Sequence, residues 1–289
     1  MSVFHSRSFQ TIVFSFCLSL LACNGSSISK TQSADSSSST TTGDSVSAKK
    51  VVVNDSTLTY INPDTVGKRT LYLTFDDGPN NATQTIINII KQEKVPATFF
   101  IVGLHVRVMN ASRKVMPQLR SMPNVVICNH SYTHAFEGHY ETFYREIGKC
   151  VNDFERCRDS VHFTNNIART PGNNIWRTPK FNQTTYPRYK PVMDSIHKAG
   201  FTLFGWDVEW RFKGLALRQT EPQMKKEIDA MFTNHDNRMP NHCVLLMHDI
   251  IFMDSQDSSS LVQLLRDIKA DPRYRFDVAT NHPYVKGTE

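Results

Sequence analysis

The 289 residues contain no CxxC pair, no zinc-finger spacing and no internal repeat. Thiolate metal modules and solenoid repeats are therefore excluded. A formal net charge of +6 comes without any Lys/Arg stripe interleaved with aromatics. Nucleic acid is thus not an expected partner, and the charge suits anionic surroundings such as envelope polymers or lipid headgroups. The apolar run Thr11–Ala22 is shorter than the about 20 residues a bilayer-spanning helix needs. What remains is ordinary for a globular protein, 39% hydrophobic and 21% charged, and the length allows one large or two modest domains.

Before that run lies a segment whose basic residues are Arg7 and the weakly basic His5. An uncharged run of this length fits the core of a secretory signal, which is removed and takes no part in the fold. The run ends Leu20-Leu21-Ala22-Cys23, which resembles a bacterial lipobox. That resemblance implies cleavage before Cys23, lipid on its amino group, and an exported chain held to a bacterial membrane, periplasmic or at the cell surface. From Asn24 to about Lys49 the chain is dominated by Ser, Thr, Gly and Asp, too polar to offset the entropy of ordering it. The expected organisation is a signal over 1–22, a lipidated tether over 23–50 and a folded domain over 51–289. Within the domain Cys128, Cys150, Cys157 and Cys243 are read as buried free thiols. Cys150 and Cys157 share a helical pattern that sets them too far apart to bridge.

Beyond residue 50 the pattern alternates between strand and helix. Strands are expected at Leu71–Phe75, Ala97–Val102, Val125–Cys128, Ile167–Arg169, Phe201–Trp206, Val244–Met247 and Phe276–Ala279. Helical periodicity covers Ala82–Glu93, Arg113–Met122, Glu141–Arg158, Tyr189–Ala199, Pro222–Phe232 and Leu261–Ala270. Such repetition argues for a parallel sheet with right-handed crossovers, closed as a barrel or left open. Polar chemistry falls just past the apolar runs, at Asp76-Asp77, Asn129-His130, Arg169, Asp207 and His248-Asp249. In a parallel α/β sheet those strand ends share one face, where active sites are built.

Two adjacent carboxylates at Asp76 and Asp77 repel, which calls for a positive partner. Two imidazoles four residues apart, His130 and His134, share a face on a helical turn. With Asp77 they form a two-histidine, one-carboxylate set that suits Zn²⁺ and also Fe²⁺, Co²⁺ or Ni²⁺. Taken alone, Asp-Asp-Gly-Pro is equally an acidic turn.

Thr74-Phe-Asp-Asp-Gly78, His130-Ser-Tyr-Thr-His134, Arg169-Thr-Pro-Gly172 and Leu246-Met-His248 resemble, in order, the motifs of the polysaccharide deacetylases (NodB type, carbohydrate esterase family 4). The resemblance covers about Lys68 to Val285. It implies a deformed (β/α) barrel of about seven strands, a monomer, and a metal-dependent hydrolase that removes acetyl groups from a polysaccharide. N-acetylglucosamine-type units of peptidoglycan or chitin are the expected substrate. An O-acetyl esterase on a xylan-like polymer and a tethered, non-catalytic glycan-binding protein are the alternatives.

By the same resemblance Asp77, His130 and His134 hold the metal, expected to be zinc, and Asp76 is general base toward the attacking water. Arg169 tethers Asp76, and His248 delivers a proton to the leaving amine, which departs poorly without one. Pro171, Gly172, Trp210 and Leu246 are assigned to the substrate, with Trp210 and Leu246 walling the acetyl pocket. The fourth motif departs from the family's D-x-x-D-W: here it reads Trp206-Asp-Val-Glu-Trp210. The carboxylate that supports a protonated His248 is accordingly Asp207 or Glu209, with Asp249 a third candidate.

Overall fold

The computed structural model describes residues 67–287. The expected signal segment, the tether and Cys23 lie outside the described residues.

In chain order the elements begin β1 (Arg69–Gly78), α1 (Thr83–Glu93), β2 (Ala97–Ile101), α2 (Gly103–Val108), α3 (Ser112–Ser121) and β3 (Val125–Asn129). Next come α4 (His134–Gly138), α5 (Tyr140–Arg145), α6 (Ile147–Val161), β4 (Ile167–Ala168), β5 (Ile175–Arg177) and β6 (Asn182–Thr184). Then follow α7 (Lys190–Lys198), β7 (Thr202–Leu203), β8 (Val208–Glu209), β9 (Phe212–Lys213), β10 (Ala216–Leu217) and α8 (Glu221–Thr233). The last are β11 (His242–His248), α9 (Ser255–Ala270), β12 (Tyr274–Asp277) and α10 (Pro283–Lys286).

β1 is central because it is buried on both faces. Leu71, Leu73 and Phe75 point to the helix side and pack with Ile86, Ile90, Leu245, Met247 and Leu264. Tyr72 points to the opposite side, with Phe100, Cys128, Ile167, Trp176 and Val244. A strand flanked by cover on both sides reads as a nearly continuous apolar run, which is why its position was plain from the sequence. The sheet runs β6-β5-β7-β4-β3-β2-β1-β11-β8, with β12 joined to the start of β1. Pairs among β1, β2, β3, β4, β7, β8, β11 and β12 are parallel, whereas β5 is antiparallel to β6 and β7. The result is a curled half-barrel of mixed strands with helices outside, the deformed α/β barrel expected. It holds more strands than expected, because several of two or three residues are too short to leave a periodic trace.

Two helix expectations change. The stretch 141–158 breaks at Glu146 (φ −94°, ψ 75°) into α5 and α6. His130 and His134 do not share a helical face: Ser131 and His134 are left-handed, at φ 63° and 51°. The left-handed run continues through Ala135, Phe136 and Glu137, a conformation that costs L-residues about 1–2 kcal/mol each. Asp153 on α6 holds its entrance by accepting from Tyr132 N, Thr133 N and Thr133 Oγ1 at 2.9, 3.0 and 3.1 Å. Cys128, Cys150, Cys157 and Cys243 are free and buried.

Candidate active site

The site begins with an irregularity in β1. Phe75 pairs with Phe99 and Gly78 with Ile101, so β1 carries one residue more than β2 over that span. Such a bulge re-aims a side chain, and Asp77 takes φ 70°. Adjacent strand residues ordinarily face opposite ways; the bulge lets Asp76 and Asp77 both approach His130.

Asp77 Oδ1 lies 3.3 Å from His130 Nε2 and 3.1 Å from His134 Nε2. Asp76 Oδ2 is 3.7 Å from His130 Nε2. His130 Nδ1 faces the Arg169 carbonyl at 3.0 Å. A carbonyl only accepts, so Nδ1 carries the proton and a neutral His130 presents its lone pair at Nε2. Asp77 Oδ1 is buried and accepts no hydrogen bond. Three donor atoms therefore converge within 4.8 Å of one another, and the unpartnered oxygen fits a divalent cation better than it fits an apo network. Burial raises the Asp77 carboxyl, but the two imidazoles outweigh it and hold it well below the usual carboxylate range.

Arg169 is buried to 1% exposure and each of its three guanidinium nitrogens donates a hydrogen bond. It donates to Phe204 O at 3.0 Å, Thr74 Oγ1 at 2.8 Å, Asp76 Oδ1 at 2.9 Å and Gly205 O at 2.8 Å. The ring of Phe100 lies beneath it, 4.1 Å from Cζ to the centroid. Thr74, missed by the sequence reading, fixes this fork by donating in turn to Leu245 O at 2.7 Å.

His248 stands in register with Asp76, and Leu246 with Thr74. Glu209 is in register with Leu246. In parallel strands such partners share a face, so Glu209, Leu246, His248 and Asp76 all belong to the barrel interior. His248 Nδ1 is buried without a hydrogen-bond partner, and Phe212 packs edge-on to the imidazole at 5.0 Å.

Three assignments are corrected here. Asp207 accepts from Arg238 N at 2.9 Å and Val244 N at 2.8 Å, and from Arg238 Nη1 at 3.3 Å. It is tied to the beginning of β11, four positions from His248, and is out of its reach. Burial raises its carboxyl despite the Arg238 contacts. Asp249 faces away from His248: its Oδ2 accepts from Thr83 Oγ1. Burial first, with Asp77 and Asp76 nearby, pushes it up to about 8. Trp210 is fully buried, donates to Gln219 O at 2.9 Å and meets Phe252 edge-on, so it is a core tryptophan and not a pocket wall.

On the third motif Pro171 is buried and Gly172 exposed. The Pro171 carbonyl accepts from Tyr144 Oη at 2.6 Å. Gly172 has φ 65°, and Tyr140 covers it so closely that an added Cβ would meet the ring at 2.8 Å. Tyr140 also lies edge-on to His134, at 6.0 Å. Neither Tyr140 nor Asp153 was singled out from the sequence. For Asp153 the signal was available: a carboxylate inside the apolar stripe Cys150, Phe154, Cys157, Val161 of α6.

Residues 64–180 match the family model "Polysaccharide deacetylase". The peptidoglycan-N-acetylglucosamine deacetylase of Bacillus cereus is 24% identical over 220 residues, 73% of this chain and 69% of that protein. The chitin disaccharide deacetylase of Vibrio alginolyticus is 30% identical over 171 residues, 55% of this chain and 38% of that protein. Among solved structures, the catalytic domain of the Eubacterium rectale peptidoglycan N-acetylglucosamine deacetylase shares the fold at a TM-score of 0.54 and 21% identity. That match covers 76% of this chain and 91% of the other. The family model over residues 64–180 and the relatives are all those of polysaccharide deacetylases, and the solved deacetylase domain shares this chain's fold.

Proposed function

We propose that the chain removes N-acetyl groups from N-acetylglucosamine-type units of peptidoglycan or a chitin-like polymer, with Asp77, His130 and His134 holding a divalent cation, zinc by preference. The observation that carries this reading is the convergence of those three donors on an unpartnered Asp77 oxygen, next to an Asp76 fixed by Arg169. A cation held by these residues would supply acidification of water and stabilisation of the developing oxyanion. Asp76, aimed by its contact with the Arg169 guanidinium, takes the proton of the attacking water. His248, across the β1–β11 pair, gives a proton to the leaving amine. Glu209 supports the charged imidazole, since it alone of the three candidate carboxylates shares the interior face with His248 without being engaged elsewhere among the described contacts. Leu246, on that face and nearly buried, borders the acetyl group, and Gly172 with Pro171 forms the opposite lip.

The reading extends to location: a chain exported through residues 1–22 and lipidated at Cys23 would act on the envelope as a monomer. Mass spectrometry of the mature protein, with Cys23→Ala as control, tests that part. For the activity, purified protein is incubated with chitin oligosaccharides, murein fragments and acetylated xylan, and acetate is measured. Release from the N-acetyl substrates, lost on chelation, restored by Zn²⁺ and absent in Asp76→Asn, is expected. Release from xylan alone shifts the assignment to an O-acetyl esterase, and no acetate from any of them sinks it.

A further inference from the structure

Asp249 follows His248 and is fully buried, yet neither the metal site nor the acid uses it. Its carboxyl sits against the backbone of Gly78, where an added Cβ would lie 2.6 Å from Oδ2. Thr83, the first residue of α1, donates Oγ1–H to that same Oδ2. Thr83 Oγ1 also accepts from Asn80 N at 2.9 Å, and Thr83 N donates to Asn80 O at 3.2 Å. A continuous path thus runs from Asp77 through Gly78 and Asn80 to Thr83, then through Asp249 to His248.

The position of this path matters. The β1–β11 ladder ends at the pair Asp76–His248, so Asp77 lies just past the last point where strand pairing fixes β1 against β11. Stability alone would be served as well by an apolar residue at a fully buried position, since burying a carboxyl with one unpartnered oxygen carries a desolvation cost; Asp249 Oδ1 is unpartnered.

We propose that Asp249 is a positioning residue whose bond with Thr83 locks the loop bearing Asp77 to the strand end bearing His248, and so sets the spacing between metal site and proton donor. The proposal rests on the roles given above to Asp77 and His248. Its test is Zn²⁺ titration calorimetry on the full chain, alongside acetate release. Removing a group that orients a ligand costs about 10–100-fold in metal affinity, and that loss is expected for Asp249→Ala together with a fall in kcat. Asp249→Asn keeps the acceptor oxygen and should bind Zn²⁺ nearly as wild type does. Thr83→Val should reproduce the alanine phenotype and Thr83→Ser should not, which keeps the test intact where Asp249→Ala fails to fold. Wild-type Zn²⁺ affinity in Thr83→Val, or Asp249→Asn as impaired as Asp249→Ala, overturns the clamp. A wild type that binds Zn²⁺ but releases no acetate defeats the deacetylase reading, while the titrations still judge the clamp.

Discussion

Arg169 and Asp76 form a buried ion pair at 2.9 Å, with side-chain exposures of 1% and 4%. Neither charge could be placed there alone. Breaking such a pair from one side costs about 3–5 kcal/mol, because the remaining charge is stranded. Arg169→Met is therefore expected to lose that much stability in urea unfolding and to abolish turnover. Adding Asp76→Asn to it should recover part of the stability and none of the activity. A double variant no more stable than Arg169→Met would show that loss of the Thr74, Phe204 and Gly205 contacts, and not the stranded carboxylate, dominates.

The second prediction separates the carboxylates near β11. Asp207 organises backbone, accepting from Arg238 N and Val244 N, whereas Glu209 shares the interior face with His248. Glu209→Gln is expected to lower kcat by about 10²–10³-fold, within the range for impairing a general acid, at little cost in stability. Asp207→Asn should do the reverse, costing about 1–3 kcal/mol for the disturbed buried acceptor with kcat nearly unchanged. Chemical unfolding and acetate kinetics on both variants decide it. A kcat loss confined to Asp207→Asn would overturn the pairing.

These contrasts show where the sequence speaks and where it falls silent. Leu71 to Phe75 announced itself because a strand covered on both faces is apolar at nearly every position, Thr74 being the exception. His130 and His134 were recognisable as a pair by spacing, but their convergence comes from left-handed backbone at Ser131 and His134, which a helical wheel does not represent. That Asp76 and Asp77 both reach the site depends on a bulge against β2, a property of two strands together. Asp207 and Glu209 could not be ranked, because the choice turns on register with β11. Trp210 next to an acidic run was equally consistent with a pocket wall or with core, and only packing against Phe252 resolves that.

Acid sensitivity should come from two histidines packed around Tyr72. His282 Nδ1 accepts from Tyr284 N and is packed among Tyr72, Trp176, Phe204 and His242. Burial lowers it to about 3, and lowers His242 to about 4. Their values in the unfolded chain lie near 6.5. Between the folded and unfolded values the unfolded chain binds more protons, so stability falls as pH drops below about 6.5. Each such group contributes a slope approaching about 1.4 kcal/mol per pH unit, less for His242, which is only partly buried and more screened. Urea unfolding at pH 7 and pH 5 should show His282→Asn, which keeps a capping acceptor for Tyr284 N, with a flatter pH dependence than wild type. The difference in slope reports His282 together with any change its loss causes in His242, against which it packs. An unchanged slope would mean that His282 is not held neutral.

Gly172 and Tyr140 give the last prediction, because two separate effects meet at one position. The φ of 65° would cost a non-glycine residue about 1–3 kcal/mol. Independently, a Cβ at 172 would meet Cε1 of Tyr140 at 2.8 Å and Cδ1 and Cζ at 3.1 Å. Gly172→Ala should thus displace the Tyr140 ring, which also lies edge-on to His134, and should weaken Zn²⁺ binding as well as folding. Tyr140→Ala removes the clash and leaves the backbone strain. In a double-mutant cycle the pair should therefore be less destabilised than the sum of the single variants, with coupling of about 0.5–3 kcal/mol for residues in contact. Strict additivity in unfolding free energy would mean that backbone conformation alone dictates glycine at 172, and that Tyr140 moves aside freely.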